Sequence, residues 1–119
     1  MDSPTTKLLK DLRKRLEPLG LPIHFKLPDT SVVEPFLVVG GITSDTSKTA
    51  QTGLIIEDRT VQIDIFLPGN KSRGHAENIK SQAIRLLGRS ARTTSSILMD
   101  NSIGREVYHI VIKTTETIL

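Results

Sequence analysis

The sequence predicts an α+β domain, a mainly antiparallel sheet with two helices on one face, in the order α-β-β-β-α-β-β. Three observations carry that expectation. Leucines recur at helical spacing near the start, and aliphatic residues do so again around 76–87. Elsewhere apolar residues alternate with polar ones, the two-residue period of a half-buried strand. The joints between these stretches are short and rich in Gly, Pro, Asn and Asp, which favours antiparallel pairing over long crossovers. At 119 residues the chain has the size of one ordinary domain, and it shows no repeat or linker, so residues 1–119 are expected to fold as one unit.

The first helix is expected over residues 4–17. Ser3 is placed to cap it and Pro4 fits its first turn; Leu8, Leu9, Leu12 and Leu16 form its apolar stripe, and Pro18 and Gly20 end it. Ile23, Phe25 and Leu27 alternate with His24 and Lys26 and read as a strand, turned at Pro28-Asp29-Thr30. Phe36–Val39 reads as a short second strand closed by Gly40-Gly41. Residues 43–53 contain no large apolar side chain and read as a long polar loop, the kind that is often functional. From Leu54 to Leu67 the strand signal returns, with Ile55, Val61, Ile63 and Ile65 on one parity; Glu57-Asp58-Arg59 interrupts it, so one long strand and a hairpin both fit. The second helix is expected from Ser72 or Arg73 to Gly88, with Ala76, Ile79, Ala83, Leu86 and Leu87 as its stripe. Two strands, about 94–99 and 105–113, flank a turn at Asp100–Gly104. In the last strand Tyr108, Ile110 and Ile112 share one face and Val107, His109 and Val111 the other. Both are largely apolar, so cover is expected on both sides, from the chain itself or from a neighbour. The predicted core is Leu12, Leu16, Ile63, Ile65, Ile79, Leu86, Ile110 and Ile112.

Composition narrows the chemistry. With no Cys, disulfides, thiolate metal sites and cysteine nucleophiles are excluded. With no Trp, one Tyr and three Phe, the core must be built from Leu, Ile and Val. No apolar run approaches the roughly 18–20 residues of a membrane span. Met1-Asp2-Ser3-Pro4 lacks the basic, then apolar start of a signal peptide, so the mature protein is expected to be the whole chain. The net charge is only +3, with two local basic excesses, Lys7–Arg15 and Arg85–Arg92, that read as solvated helix faces.

Gly69-Asn70-Lys71-Ser72-Arg73-Gly74 has the glycine spacing of a phosphate-binding loop, but His75 and Ala76 stand where Lys and Ser or Thr would be needed. It reads as a strand-to-helix turn. His24, His75 and His109 fall on three separate elements, without metal-ligand spacing. No serine sits in a nucleophile elbow, and Asp64 stands alone on its strand. No catalytic, cofactor or metal residue is therefore assigned. What stands out suits a subunit: the polar loop, the two-faced last strand, and a polar stretch, Lys113–Glu116, ending in Thr117-Ile118-Leu119. Ser44, Asp45, Lys48, Gln51, His109, Thr117 and Leu119 are the candidate assembly-interface residues.

Three stretches carry a family resemblance: the helix with Leu8, Leu12 and Leu16 leading to Ile23 and Phe25; the alternating Val61–Phe66 strand leading through a basic loop into Ala76-Glu77-Asn78-Ile79; and the strand Tyr108–Ile112. In element order and in these stretches the chain resembles tail-terminator (tail-completion) proteins of long-tailed siphophages. The resemblance implies a structural virion protein: a hexameric ring at the head-proximal end of the tail tube that ends tube growth and joins tail to head. Its partners would be further copies of itself, the tail-tube protein and the head–tail connector. DNA would pass through the lumen without sequence-specific binding. Another head–tail connector component, or a small basic nucleic-acid-binding module, is the alternative. The second rests on the basic helix residues and is opposed by the scarcity of aromatics for base stacking.

Overall fold

A computed structural model describes residues 3–49, 55–88, 92–102 and 104–118. Gln51 and Leu119, two of the expected interface residues, lie outside them. The element order matches the expected one: α1 (Pro4–Leu16), β1 (Ile23–His24), β2 (Phe36–Thr49), β3 (Ile55–Pro68), α2 (Arg73–Leu87), β4 (Arg92–Asp100) and β5 (Val107–Ile118). The five strands form one sheet in the order β1-β2-β3-β5-β4. Only the short β1–β2 pair is parallel; β2–β3, β3–β5 and β4–β5 are antiparallel.

Local chemistry sets both helix starts. Ser3 accepts the Thr6 N–H at the head of α1, and Ser72 accepts the His75 N–H at the head of α2, each satisfying a donor that the helix leaves free. The loop-like motif before α2 is a turn closed by Lys71 N–H to the Pro68 carbonyl at 3.1 Å. Gly69 is required there for space, since a Cβ would stand 2.4 Å from the Glu106 carbonyl oxygen.

One face of the sheet carries the core. Leu37 and Val39 of β2, Val61, Ile63, Ile65 and Leu67 of β3, and Ile110 and Ile112 of β5 share it. Leu8, Leu12 and Leu16 of α1 and Ala76, Ala83 and Leu87 of α2 cover it. Burial of these aliphatic side chains, each contributing roughly 1.5–3 kcal/mol, is what holds the two layers together. Polar ties add to it: Arg15 reaches the Leu87 carbonyl at 3.1 Å and Glu116 at 2.6 Å, joining α1 to the end of α2 and to β5.

Several sequence expectations are corrected. The polar stretch from Thr43 is no loop up to Thr49; it is the distal half of β2, paired with Ile55–Thr60 of β3. Side-chain character hid this, because strand pairing is carried by backbone bonds and needs no apolar pattern. Residues 50–53 lie outside the described residues. Residues 55–68 are one strand, through Glu57-Asp58-Arg59. The polar Lys113–Glu116 stretch belongs to β5, where Thr114 faces the helices at 1% exposure. The alternation at 23–27 yields only the two-residue β1, leaving Phe25 and Leu27 exposed. On α2 Leu87 is buried and Leu86 only partly so, as is Ile79, because the helix turns Ala76, Ala83 and Leu87 to the sheet.

Candidate functional site: the open face of the sheet

Among the described residues no helix lies on the other face of the sheet, and the character of that face changes along its length. At the β4–β5 turn end it is apolar. Phe36, Val38, Phe66 and Val107 cluster there under Val32 of the segment linking β1 to β2. That segment lies across the face as a strap, and one arginine pins it. Arg105 donates from Nε to the Glu34 carboxylate at 2.8 and 2.9 Å, and from its terminal nitrogens to the Thr30 and Val32 carbonyls at 2.8 and 2.7 Å. These hydrogen bonds hold the Glu34 carboxyl below the usual carboxylate range, against the opposing effect of its burial.

Beside this cluster His109 links three strands. Its Nε2 lies 2.7 Å from Asp64 of β3 and its Nδ1 lies 3.0 Å from Asp100 of β4. Its ring stacks on Phe66 with 4.4 Å between centroids, and Phe66 meets Phe36 at 5.1 Å. Gln62 fixes the Asp64 carboxylate from the far side, donating to its two oxygens at 3.0 and 3.1 Å. The bond to Asp64 raises the His109 pKa above its ordinary value, burial opposes, and Asp100 adds to the rise. Asp100 is held low first by the Ser102 backbone N–H at 2.8 Å and only then by His109. Protonated imidazole can donate at both nitrogens, so this cluster is a charge-assisted clamp across β3, β5 and β4. Each ring nitrogen is spent on its own carboxylate, so neither is directed to a shared ion; no group of three or more His, Cys, Asp or Glu able to hold a metal occurs among the described residues.

Toward the hairpin end the open face becomes rich in hydroxyls. A concavity of about 440 Å³ is lined by Thr60, Thr94, Thr115, Lys113, Arg92 and Asp58, among others. Thr60 and Thr115 share a 2.8 Å hydrogen bond across β3 and β5. Arg92 reaches Asp58 at 3.3 Å.

The candidate interface residues separate into two places. Asp45 pairs with Asp58, and Asp58 with Thr117, so Asp45, its neighbour Ser44, Lys48 and Thr117 all lie on strands at the hairpin end. His109 lies at the opposite end, beside Phe66. Asp64 does not stand alone, as its sequence position suggested, and Asp100 does more than shape a turn: both are completed by His109. The only sequence signal for this was a histidine on an otherwise apolar parity, facing the same side as Asp64. His24 packs edge-on against Phe36, and His75 is exposed at the head of α2.

No described helix is long and apolar enough to cross a membrane. No protein-family model matches the chain, and a search of curated proteins found no significant match either.

Proposed function

We propose that this chain is a non-enzymatic assembly subunit of a long-tailed phage: a tail terminator that closes into a hexameric ring on the head-proximal end of the tail tube. Its place would be the virion tail, after assembly in the host cytoplasm. One observation supports this reading above the others. The sheet has a second face that no helix covers, and toward the hairpin end that face is rich in hydroxyls and nearly balanced in charge. A ring lined by such faces would present Thr60, Thr94 and Thr115 to DNA, with Arg92 already engaged by Asp58. Fewer free cations mean fewer phosphate contacts and a weaker salt-dependent grip, as passage without sequence-specific binding demands. The long β2–β3 hairpin is suited to contact the tube or the connector.

The test is electron microscopy of particles from a phage in which this reading frame is interrupted. Overlong or irregular tubes lacking heads are the expected result. Normal-length tails joined to heads would overturn the proposal. A small basic nucleic-acid-binding module is the second reading, favoured by Lys113 at the concavity; strong salt-dependent DNA binding by a monomer would select it.

A further inference from the structure

The two edges of the sheet are unlike, and they complement each other. Among the described residues β4 pairs only with β5, so its outer side is an open row of backbone donors and acceptors along nine residues, Arg92–Asp100. Proteins usually protect such an edge with a central charge, a proline or a bulge. Here the strand has neither a proline nor a lysine, its charges stand only at its two ends, and its pairing with β5 runs without a register shift. At the opposite edge β1 pairs with β2 only at Leu37 and Val38, so among the described residues β2 has no strand partner on its outer side past the Phe25 backbone, which lies against Gly40; its course there is irregular between Gly40 and Thr43 and between Asp45 and Lys48.

The exposed apolar residues mark the same two edges. Among the described residues the exposed large hydrophobics are Phe25, Leu27, Val33, Leu98 and Met99, at 43–73% exposure. Val33 stands on the strap. Phe25 and Leu27 follow the end of β1, and Leu98 and Met99 lie at the end of β4.

We infer that β4 of one copy docks on the open β2 edge of a second copy, beyond the end of β1, with Leu98 and Met99 packed against the neighbour's Phe25 and Leu27. Strand direction fits this contact. β2, β3, β5 and β4 alternate, so a copy related by rotation about an axis along the strands presents its β2 antiparallel to β4. Register fits it as well. Leu98 lies level with Phe36 through His109 and Phe66, while Phe25 lies against Gly40. A stagger of about four residues toward the hairpin tip brings the two apolar pairs together and lays the rest of β4 along free β2 backbone; closed sheets require such a stagger. The same stagger sets Ser96 beside Thr43, on the open face of both strands. The contact joins two different edges, so it is head-to-tail rather than two-fold, and its repetition gives a ring when the rotation closes. It rests on the assembly reading above and names the surfaces that reading uses.

The chain has no cysteine, which makes the test clean. In oxidised protein carrying both Ser96→Cys and Thr43→Cys, a covalent ladder beyond the dimer is expected, and none from either single variant. A dimer from Ser96→Cys alone would mean β4 pairing with β4 and would overturn the inference, as would absence of any ladder from the double variant. Leu98→Asp with Met99→Asp should convert assembled wild type to monomer by light scattering, with the circular dichroism of a folded chain retained because both side chains are exposed. Unchanged assembly would overturn the inference too. Failure of the tail reading is distinguishable: a cross-linked ring from a phage whose tails end normally without this protein would leave this interface standing.

Discussion

The two faces of one sheet are built on different principles. At the centre of the helix-covered face the residues are interchangeable in kind: Ile63, Ile65, Ile110 and Ile112 are each 0% exposed and do nothing but exclude water. On the open face, the same strands contribute Asp64, Phe66 and His109, whose contacts are directional and depend on protonation. The first face makes the domain stable; the second holds its strands in a fixed relation while still presenting a surface. A change at the centre of the covered face should therefore be felt as lost stability, and a change at the His109 clamp as altered pH response, while the open face keeps a small buried core of its own in Phe36, Val38, Phe66 and Val107.

The largest expected effect breaks the comparison from the covered side. Ile63→Ala removes a fully buried side chain between Val39 and Ile112 and should cost about 2–5 kcal/mol by thermal or urea unfolding. Val111→Ala, on the open face and only partly buried, should cost clearly less. Equal losses would mean that the open face around Val111 is packed as tightly as the covered one.

The covered face was the part legible in the sequence. Hydrophobic period located α1, α2 and the inward parity of β3 and β5, because burial of aliphatic side chains is what period records. Six of the eight expected core residues, Leu12, Leu16, Ile63, Ile65, Ile110 and Ile112, are fully buried. Strand length failed where the side chains turn polar: the distal half of β2 and the end of β5 are strands through backbone pairing, which leaves no apolar signature. The open face was barely legible. Its clamp joins residues 45 and 9 positions apart, and its strap joins residues 71 apart; both depend on register, which composition does not fix.

A middle-sized effect is expected at the strap. Arg105→Met keeps length but removes every donor to Glu34, Thr30 and Val32. Glu34 would be left nearly buried, at 8% exposure, without its cation. Amide exchange across residues 29–35 should accelerate, and Tm should fall by less than for Ile63→Ala. The Glu34 carboxyl is held below its ordinary value, near 4.5, so the strap's contribution is present above that pH and lost as pH falls through the depressed value. That acid-side loss should vanish in Arg105→Met. Unchanged exchange in the variant would show that Val32 in the apolar cluster, not Arg105, fixes the strap.

The smallest effect is the most informative about the open face. Below about pH 6.5 His109 is protonated in both the folded and the unfolded chain, and its two N–H groups serve Asp64 and Asp100 together. Its folded pKa is raised, so the clamp's contribution is fully present there and is lost as pH rises through that raised value. Above it, the neutral ring keeps one N–H and turns a lone pair toward the other carboxylate, so one of the two contacts becomes repulsive. The side chain is 17% exposed, so solvent screens part of the interaction and the contribution should be about 1 kcal/mol or less. Tm measured from mildly acidic to alkaline pH should decline in wild type relative to His109→Gln, which cannot change charge and can donate to only one of the two acids. The imidazole proton resonance should report the titration midpoint directly, above the ordinary histidine value. Parallel Tm curves for the two proteins, or a midpoint at or below that value, would mean that stacking on Phe66, rather than the paired carboxylates, holds the ring in place.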